Sequence, residues 1–144
     1  MADIRLSTVH PVSGLQALVE DDGHSVWLYL RDQNATGIQA DCWLYNRRPF
    51  QRAELSQWPR DQPPPAPSDL VGPEACWTAP LPETADFTWA PDGRSVAVII
   101  GGTTLGYIAA GDRRGHSRYL QAKGPWGAPF DPAMYARLFG EPAA

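Results

Sequence analysis

No apolar run in this sequence approaches the length needed to cross a bilayer. The longest, around Val26–Leu30 and Val96–Ile100, are only strand-sized. The opening MADIRLSTVHPVSG lacks a basic start followed by an apolar stretch, so a secretory signal is not expected and a cytoplasmic location is. Cysteine is scarce. Cys42 and Cys76 are the two present, too few for a disulfide scaffold, and in a reducing compartment both should be free thiols. Each precedes a Trp, which suits a small apolar core residue. Without secretion, the glycosylation triplet Asn34-Ala35-Thr36 carries no meaning. Charge is sparse as well, at 19% against 43% hydrophobic residues, a globular rather than a disordered balance.

Metal-ligand spacing is also missing. His10, His24, His116, Cys42 and Cys76 form no Cys-x-x-Cys, His-x-x-x-His or His-Glu-x-x-His pattern, so no metal or cofactor is expected. Gly-His-Ser occurs at Gly23–Ser25 and Gly115–Ser117, but neighbours in a strand point to opposite faces, so His and Ser do not meet there. There is no Gly-x-Ser-x-Gly elbow, and GGTTLG lacks the Lys and the following helix of a phosphate loop. Its expected role is a tight turn. Asp21-Asp22 is an adjacent acidic pair on a turn rather than two carboxylates flanking a cleft. No catalytic set is expected.

What is abundant is proline, glycine and tryptophan: fifteen, thirteen and six residues. Long helices tolerate that much Pro and Gly badly, so a turn-rich β protein is indicated. VEDDGHSVWLYL from Val19 and WAPDGRSVAVII from Trp89 share Asp-Gly, a variable residue, Ser-Val and an apolar run. Both predict hairpins, with Asp and Gly supplying turn hydrogen bonds and positive φ. Val26, Leu28 and Leu30 would line one face of the first return strand, and Val96, Val98 and Ile100 one face of the second. A third strand follows each, in IQADCWLYN and TLGYIAA. The expected fold is mainly β (α+β): one domain over 1–144, with three-stranded antiparallel meanders at 15–46 and 86–110 that cover one another as one sheet or two.

A Pro-rich connection over 59–82 joins the meanders. Leu70, Val71, Trp77 and Leu81 favour an ordered strap in its second half. PFQRAELSQWP has room for one helical turn. A C-terminal helix over 131–139 has Asp131 as N-cap, Pro132 at its first position and Gly140 at its exit, with Met134, Tyr135, Leu138 and Phe139 on one side.

FTWAPDGRSVAVIIGGTTLGYI, about one-sixth of the chain, resembles a blade hairpin of TolB-type β-propellers. A propeller needs at least four blades of four strands, so the resemblance implies hairpin geometry alone. In size, acidity and absence of catalytic motifs the chain also resembles the immunity proteins that neutralise bacterial toxins.

Charge is uneven. Residues 1–92 carry thirteen acids and six bases, residues 93–144 three and six, and the whole is −4. The first part should repel nucleic acid and anionic membrane and attract a basic partner. Arg113, Arg114, Arg118 and Lys123 lie near Tyr119 and Trp126, as in single-strand binders, but the acidic remainder argues for a solvated basic loop. Trp27, Tyr29, Trp43 and Tyr45 should form an aromatic ladder on one sheet face. The strap or the C-terminal helix is expected to cover it. Any open part would be a protein-binding surface, with Asp21, Asp22, Asp32 and Asp41 steering a basic partner.

Three functions compete: a non-catalytic protein-binding domain of the immunity type; a small enzyme or ligand-binding protein with a pocket at Arg113, Arg114, His116, Arg118 and Trp126; and a structural homo-oligomer joined through strand edges. The first is expected, with another protein, such as a basic toxin domain, as partner. The sequence fixes no oligomeric state.

Overall fold

The computed structural model describes residues 4–33, 37–79 and 85–140, with only the backbone of Ile4 and Arg5. The triplet Asn34-Ala35-Thr36 and Leu81 lie outside the described residues. Two sheets account for most of the chain. The first runs in sequence order through β1 (Ile4–Val9), β2 (Leu15–Asp21), β3 (Ser25–Asp32) and β4 (Ala40–Asn46), all antiparallel. The second contains β5 (Asp86–Trp89), β6 (Val96–Ile100), β7 (Thr103–Ile108), β8 (His116–Ser117) and β9 (Ala128–Pro129), with only the last pairing parallel. The fold is mainly β with one short C-terminal helix, as the sequence indicates. It differs in strand number: β1 extends the first meander, and β8 and β9 extend the second.

The repeated Asp-Gly bends are built alike. Asp22 Oδ1 accepts from the amides of His24 and Ser25, each at 2.9 Å, and Asp92 Oδ1 from those of Arg94 and Ser95, each at 2.8 Å. Gly23 and Gly93 have φ of 93° and 68°, conformations that a side chain would strain. From each bend a strand returns with its valines inward. Val26, Leu28 and Leu30 share one buried cluster with Val96, Val98 and Ile100. Each such side chain contributes roughly 1.5–3 kcal/mol on burial.

The likeness continues into the third strands. Each carries a bulge: Leu44 is the extra residue where β3 meets β4, and Leu105 where β6 meets β7. Both leucines are fully buried.

The sheets meet at a seam where no side chain fits. Asp41 donates its N–H to the Arg113 carbonyl at 2.9 Å and accepts from Gly115 N–H at 2.8 Å, while Trp43 N–H reaches the Trp126 carbonyl at 3.3 Å. Residues 113–115 thus close the edge of β4, and the next two residues pair with β7 in the other sheet. A Cβ on Gly115 would lie 2.5 Å from the Tyr107 carbonyl oxygen and 2.6 Å from Cys42 Cβ. One on Gly106 would lie 2.9 Å from Cys42 Sγ.

The Pro-rich strap is ordered through its described length. It follows α1 (Arg52–Leu55), the single helical turn expected in PFQRAELSQWP, and includes two 3₁₀ turns, Ser68–Leu70 and Pro73–Ala75. Helix α2 (Pro132–Phe139) is capped as its sequence specifies. Asp131 Oδ1 accepts from Met134 N–H at 3.1 Å, and Gly140 closes the helix at φ 82°. Its apolar side packs on Ala97 and Tyr107, on the face of the second sheet turned away from the first.

Gly115 has no positive φ, so replacing it tests the seam by steric means alone. Gly115→Ala should lower unfolding free energy by about 3 kcal/mol in a denaturant titration, the upper range for overpacking. Gly111→Ala, at φ 85° with open space around it, should cost only about 1 kcal/mol.

Candidate functional site

The four expected aromatics do not share one face. Register pairs Trp27 with Trp43 but Val26 with Tyr45, because the bulge at Leu44 flips the strand between them. Trp27, Tyr29 and Trp43 therefore stand on the outer face. Tyr45 turns to the side of Val26 and stacks on Trp77 at 4.3 Å. Trp27, Trp43 and Tyr45 are all buried, and Tyr29 alone is partly open.

The strap is bonded beside Trp43 of that face, and Trp27 is buried next to it. Asn46, fully buried, donates from Nδ2 to the Ala66 carbonyl at 2.7 Å and accepts the Ala66 N–H at 3.2 Å on Oδ1, which also receives Trp43 Nε1 at 2.8 Å. Trp126 Nε1 donates to the Pro64 carbonyl at 2.9 Å. A side-chain amide and an indole thus read the backbone of an extended proline segment. C-terminal helix α2 packs on the second sheet, and the strap is the segment bonded beside Trp43.

Two of the four expected steering carboxylates are used inside the fold. Asp21, with a side chain 4% exposed, is ion-paired to Arg47 and accepts Gly23 N–H at 2.9 Å. Arg47 also donates to the carbonyls of Trp77 and Thr78 at 3.0 and 3.1 Å, tying the end of the strap to the first bend. Removing one partner of such a buried pair typically costs ~3–5 kcal/mol. Asp41 is bridged by Arg114 at 3.0 Å. Burial raises the Asp41 carboxyl above its ordinary value although Arg114 pulls the other way. Asp22 caps its bend, and Asp32 ends β3 opposite Leu15.

The second expected group does not converge. His116 lies flat against Tyr107 at 4.8 Å, with Nδ1 3.1 Å from the Pro129 carbonyl. Arg118 lies over Phe130 at 4.6 Å and donates to the Thr104 carbonyl at 2.5 Å. Trp126 faces the strap, Arg114 faces Asp41, and the Arg113 side chain is exposed. His10 accepts the N–H groups of Val12 and Ser13, each at 3.2 Å, and meets Trp89 edge-on. His24 packs against Phe50 and Trp58. Cys42 is fully buried, and burial, with the Asp41 carboxylate adding, pushes its thiol well above the ordinary value. Cys76 is a half-buried free thiol. Among the described residues no three His, Cys, Asp or Glu side chains gather as a metal site would require, and no helix is long and apolar enough to cross a membrane.

What remains open is the other half of the first sheet's outer face. Ser7 and Val9 of β1, Gln16, Leu18 and Glu20 of β2, and Tyr29 and Arg31 of β3 form its rows. Ser7 and Val9 are exposed and the others half-buried. Tyr29 lies parallel to Trp27, 6.1 Å between centroids and 5° between planes, so its ring extends the covered tryptophan row into the open area. Burial, then the carboxylates of Glu20, Asp22 and Asp41, raise the Tyr29 phenol well above its ordinary value. Sequence reasoning missed this surface because it did not assign β1. The alternation Ile4, Leu6 against Arg5, Ser7 was the available signal.

No protein-family profile, characterised protein or solved structure matches this chain. What the molecule defines is a class: a two-sheet β domain with an internal proline strap and one partly open aromatic face.

Tyrosine ionisation gives a pH test of the packing. Burial, with the Asp131 carboxylate adding, pushes Tyr107 up to about 12, and Tyr29, Tyr45 and Tyr119 are also raised. A phenol raised in the folded state stabilises it fully below the unfolded value of about 10 and loses that contribution as pH climbs through the folded value. The native tyrosinate absorbance curve should lie at higher pH than the denatured one, and the denaturant midpoint should fall above about pH 10. Superimposed curves would contradict the burial of these rings.

Proposed function

We propose that the protein is a non-catalytic protein-binding domain, and that it binds through the open half-face centred on Tyr29 and Leu18. In its most specific form this is an immunity-type inhibitor that occludes a basic toxin domain. The observation that carries the reading is the stacked Trp27–Tyr29 pair, one ring buried and the other reaching into open surface. A rigid aromatic backed by packed core loses little entropy on contact, which is why Tyr and Trp anchor interfaces. Leu18 opposite Tyr29 and the exposed Val9 add apolar area. The acidic balance of residues 1–92, thirteen acids against six bases, favours a basic partner and would speed its approach. The structural employment of all three histidines and of Cys42 supports binding rather than turnover.

Affinity capture from the native host should recover one basic protein at stoichiometric yield. Tyr29→Ala should weaken that complex by at least about tenfold, with the fold intact by circular dichroism, and Tyr29→Phe should retain it. Salt should slow association more than it speeds dissociation. A clean monomer that captures nothing, or a complex indifferent to Tyr29→Ala, would contradict the proposal.

A further inference from the structure

Three hairpin bends close on the same device. In two of them an aspartate carboxylate accepts the N–H groups two and three residues ahead: Asp22 from His24 and Ser25, each at 2.9 Å, and Asp92 from Arg94 and Ser95, each at 2.8 Å. The third bend joins β1 to β2, and there a histidine stands in the aspartate's place. His10 Nδ1 accepts from Val12 N–H and Ser13 N–H, each at 3.2 Å, again two and three residues ahead. Asp and Asn are the usual residues at such a position, because a short side-chain oxygen reaches these amides. An imidazole nitrogen reaches the same point with one difference: the atom that accepts can also take a proton.

The accepting role fixes the state of the ring. With the Nδ1 lone pair turned to two amides, His10 is neutral and carries its proton on Nε2. The ring also reaches the second sheet. It meets Trp89 edge-on at 5.3 Å between centroids, and it lies so close to Gly93 that a Cβ there would come within 2.9 Å of its Cε1. Beside it, Ser13 Oγ donates to the Gly93 carbonyl at 2.8 Å and accepts Leu15 N–H at 3.2 Å. The β1–β2 bend is thus seated on the Asp92–Gly93 bend, and His10 belongs to both contacts. Residues 11–14 carry no charge. Among the described residues, the charged groups on the elements packed around the ring are Asp92 and Arg94 of the lower bend, Asp86 at the start of β5, Asp32 at the end of β3 opposite Leu15, and Arg5 at the far end of β1. Against the pull of burial, the N–H groups of Arg94 and Ser95 hold the Asp92 carboxyl below its ordinary value, so it stays ionised where histidine titrates.

We propose that His10 is a proton-operated clasp between the two sheets. Neutral, it closes the β1–β2 bend and holds it on the Asp92–Gly93 bend. Protonated at Nδ1, it accepts from neither amide, so the bend opens and lifts from Gly93. The proton comes from solvent, and only hydrogen bonds are exchanged. The sign follows from linkage: the closed form binds no proton at Nδ1 and the open form binds one, so falling pH favours opening. Histidine side chains change charge between about pH 5 and 8, so a mildly acid step is enough to drive the change. Opening would loosen the rim of the half-open face, where Val9 pairs with Gln16, and free the tip at Val12, already 88% exposed. The clasp stands independently of the binding reading and is tested without a partner.

The test is residue-resolved amide exchange on the full chain between about pH 8 and pH 5, expressed as protection relative to the intrinsic rate at each pH. Protection at Val12 and Ser13 should fall by about tenfold across that range. Arg94 and Ser95, held in the same way by a carboxylate, should change little. His10→Asn places an amide oxygen near the position of Nδ1 and should keep Val12 and Ser13 protected throughout. His10→Asp, which copies the other two bends, should do the same. The Gly93 amide resonance should move with the same midpoint as Val12 in the parent and stay still in both variants. Ring nitrogen shifts of the parent should show His10 as the Nε2–H tautomer at about pH 8. The tautomer and the parent profile need no variant, so they decide even where a variant fails to fold. Constant protection at Val12 and Ser13, a fall that persists in His10→Asn, or a proton on Nδ1 in the closed form would overturn the proposal. So would a Gly93 signal that ignores the transition, because the bend would then open without releasing the second sheet.

Discussion

The contact of Cys42 with two glycines is the constraint on which the remaining structure depends. Gly106 and Gly115 let β4 and the segment before β8 approach until backbone meets side chain. Because of that closeness, residues 113–117 serve both sheets in turn, first as the edge partner of Asp41 and then as the neighbour of Tyr107. The valine rows of the two bends are held face to face as a result, and Val26 and Val96 are both fully buried. A larger residue at either glycine would part the sheets and expose the cluster they share.

The strap solves a second problem created by the first. Packing the inner faces together leaves the outer face of β3 and β4 with two tryptophans and no neighbouring element. Asn46 and Trp126 recruit the proline segment to that place by bonding its backbone, and Arg47 fixes its far end to Asp21. Prolines suit the task, since they bring little conformational entropy to lose and few amide donors to satisfy. The cover stops short of Tyr29. The part of the sheet nearest β1 is left half-open, and there an aromatic ring, an exposed valine and a strand edge without a main-chain partner among the described residues coincide.

Much of this was legible in the sequence. The bends were readable because Asp and Gly each have a specific local role, and Asp22 and Asp92 play it through the same pair of hydrogen bonds. The C-terminal helix carried its stop and start signals outright. The aromatic face was readable only in part. Period-two reasoning puts Trp43 and Tyr45 together, and a bulge at Leu44 separates them. The ion pairs of two acidic residues were not legible for a related reason: whether Asp21 and Asp41 face outward or an arginine of their own chain depends on contacts to Arg47 and Arg114 across 26 and 73 positions. Short strands β8 and β9 lack any periodic signal, because two residues cannot show one.

The seam is tested most directly by the reactivity of the Cys42 thiol in a Cys76→Ser variant. The account requires that Cys42 be modified only when the sheets separate, so the free energy from labelling kinetics should equal that from denaturant unfolding. Rapid modification of Cys42 under native conditions, at the rate of an exposed thiol, would show that β4 and the glycine segment do not meet as described and would contradict the account.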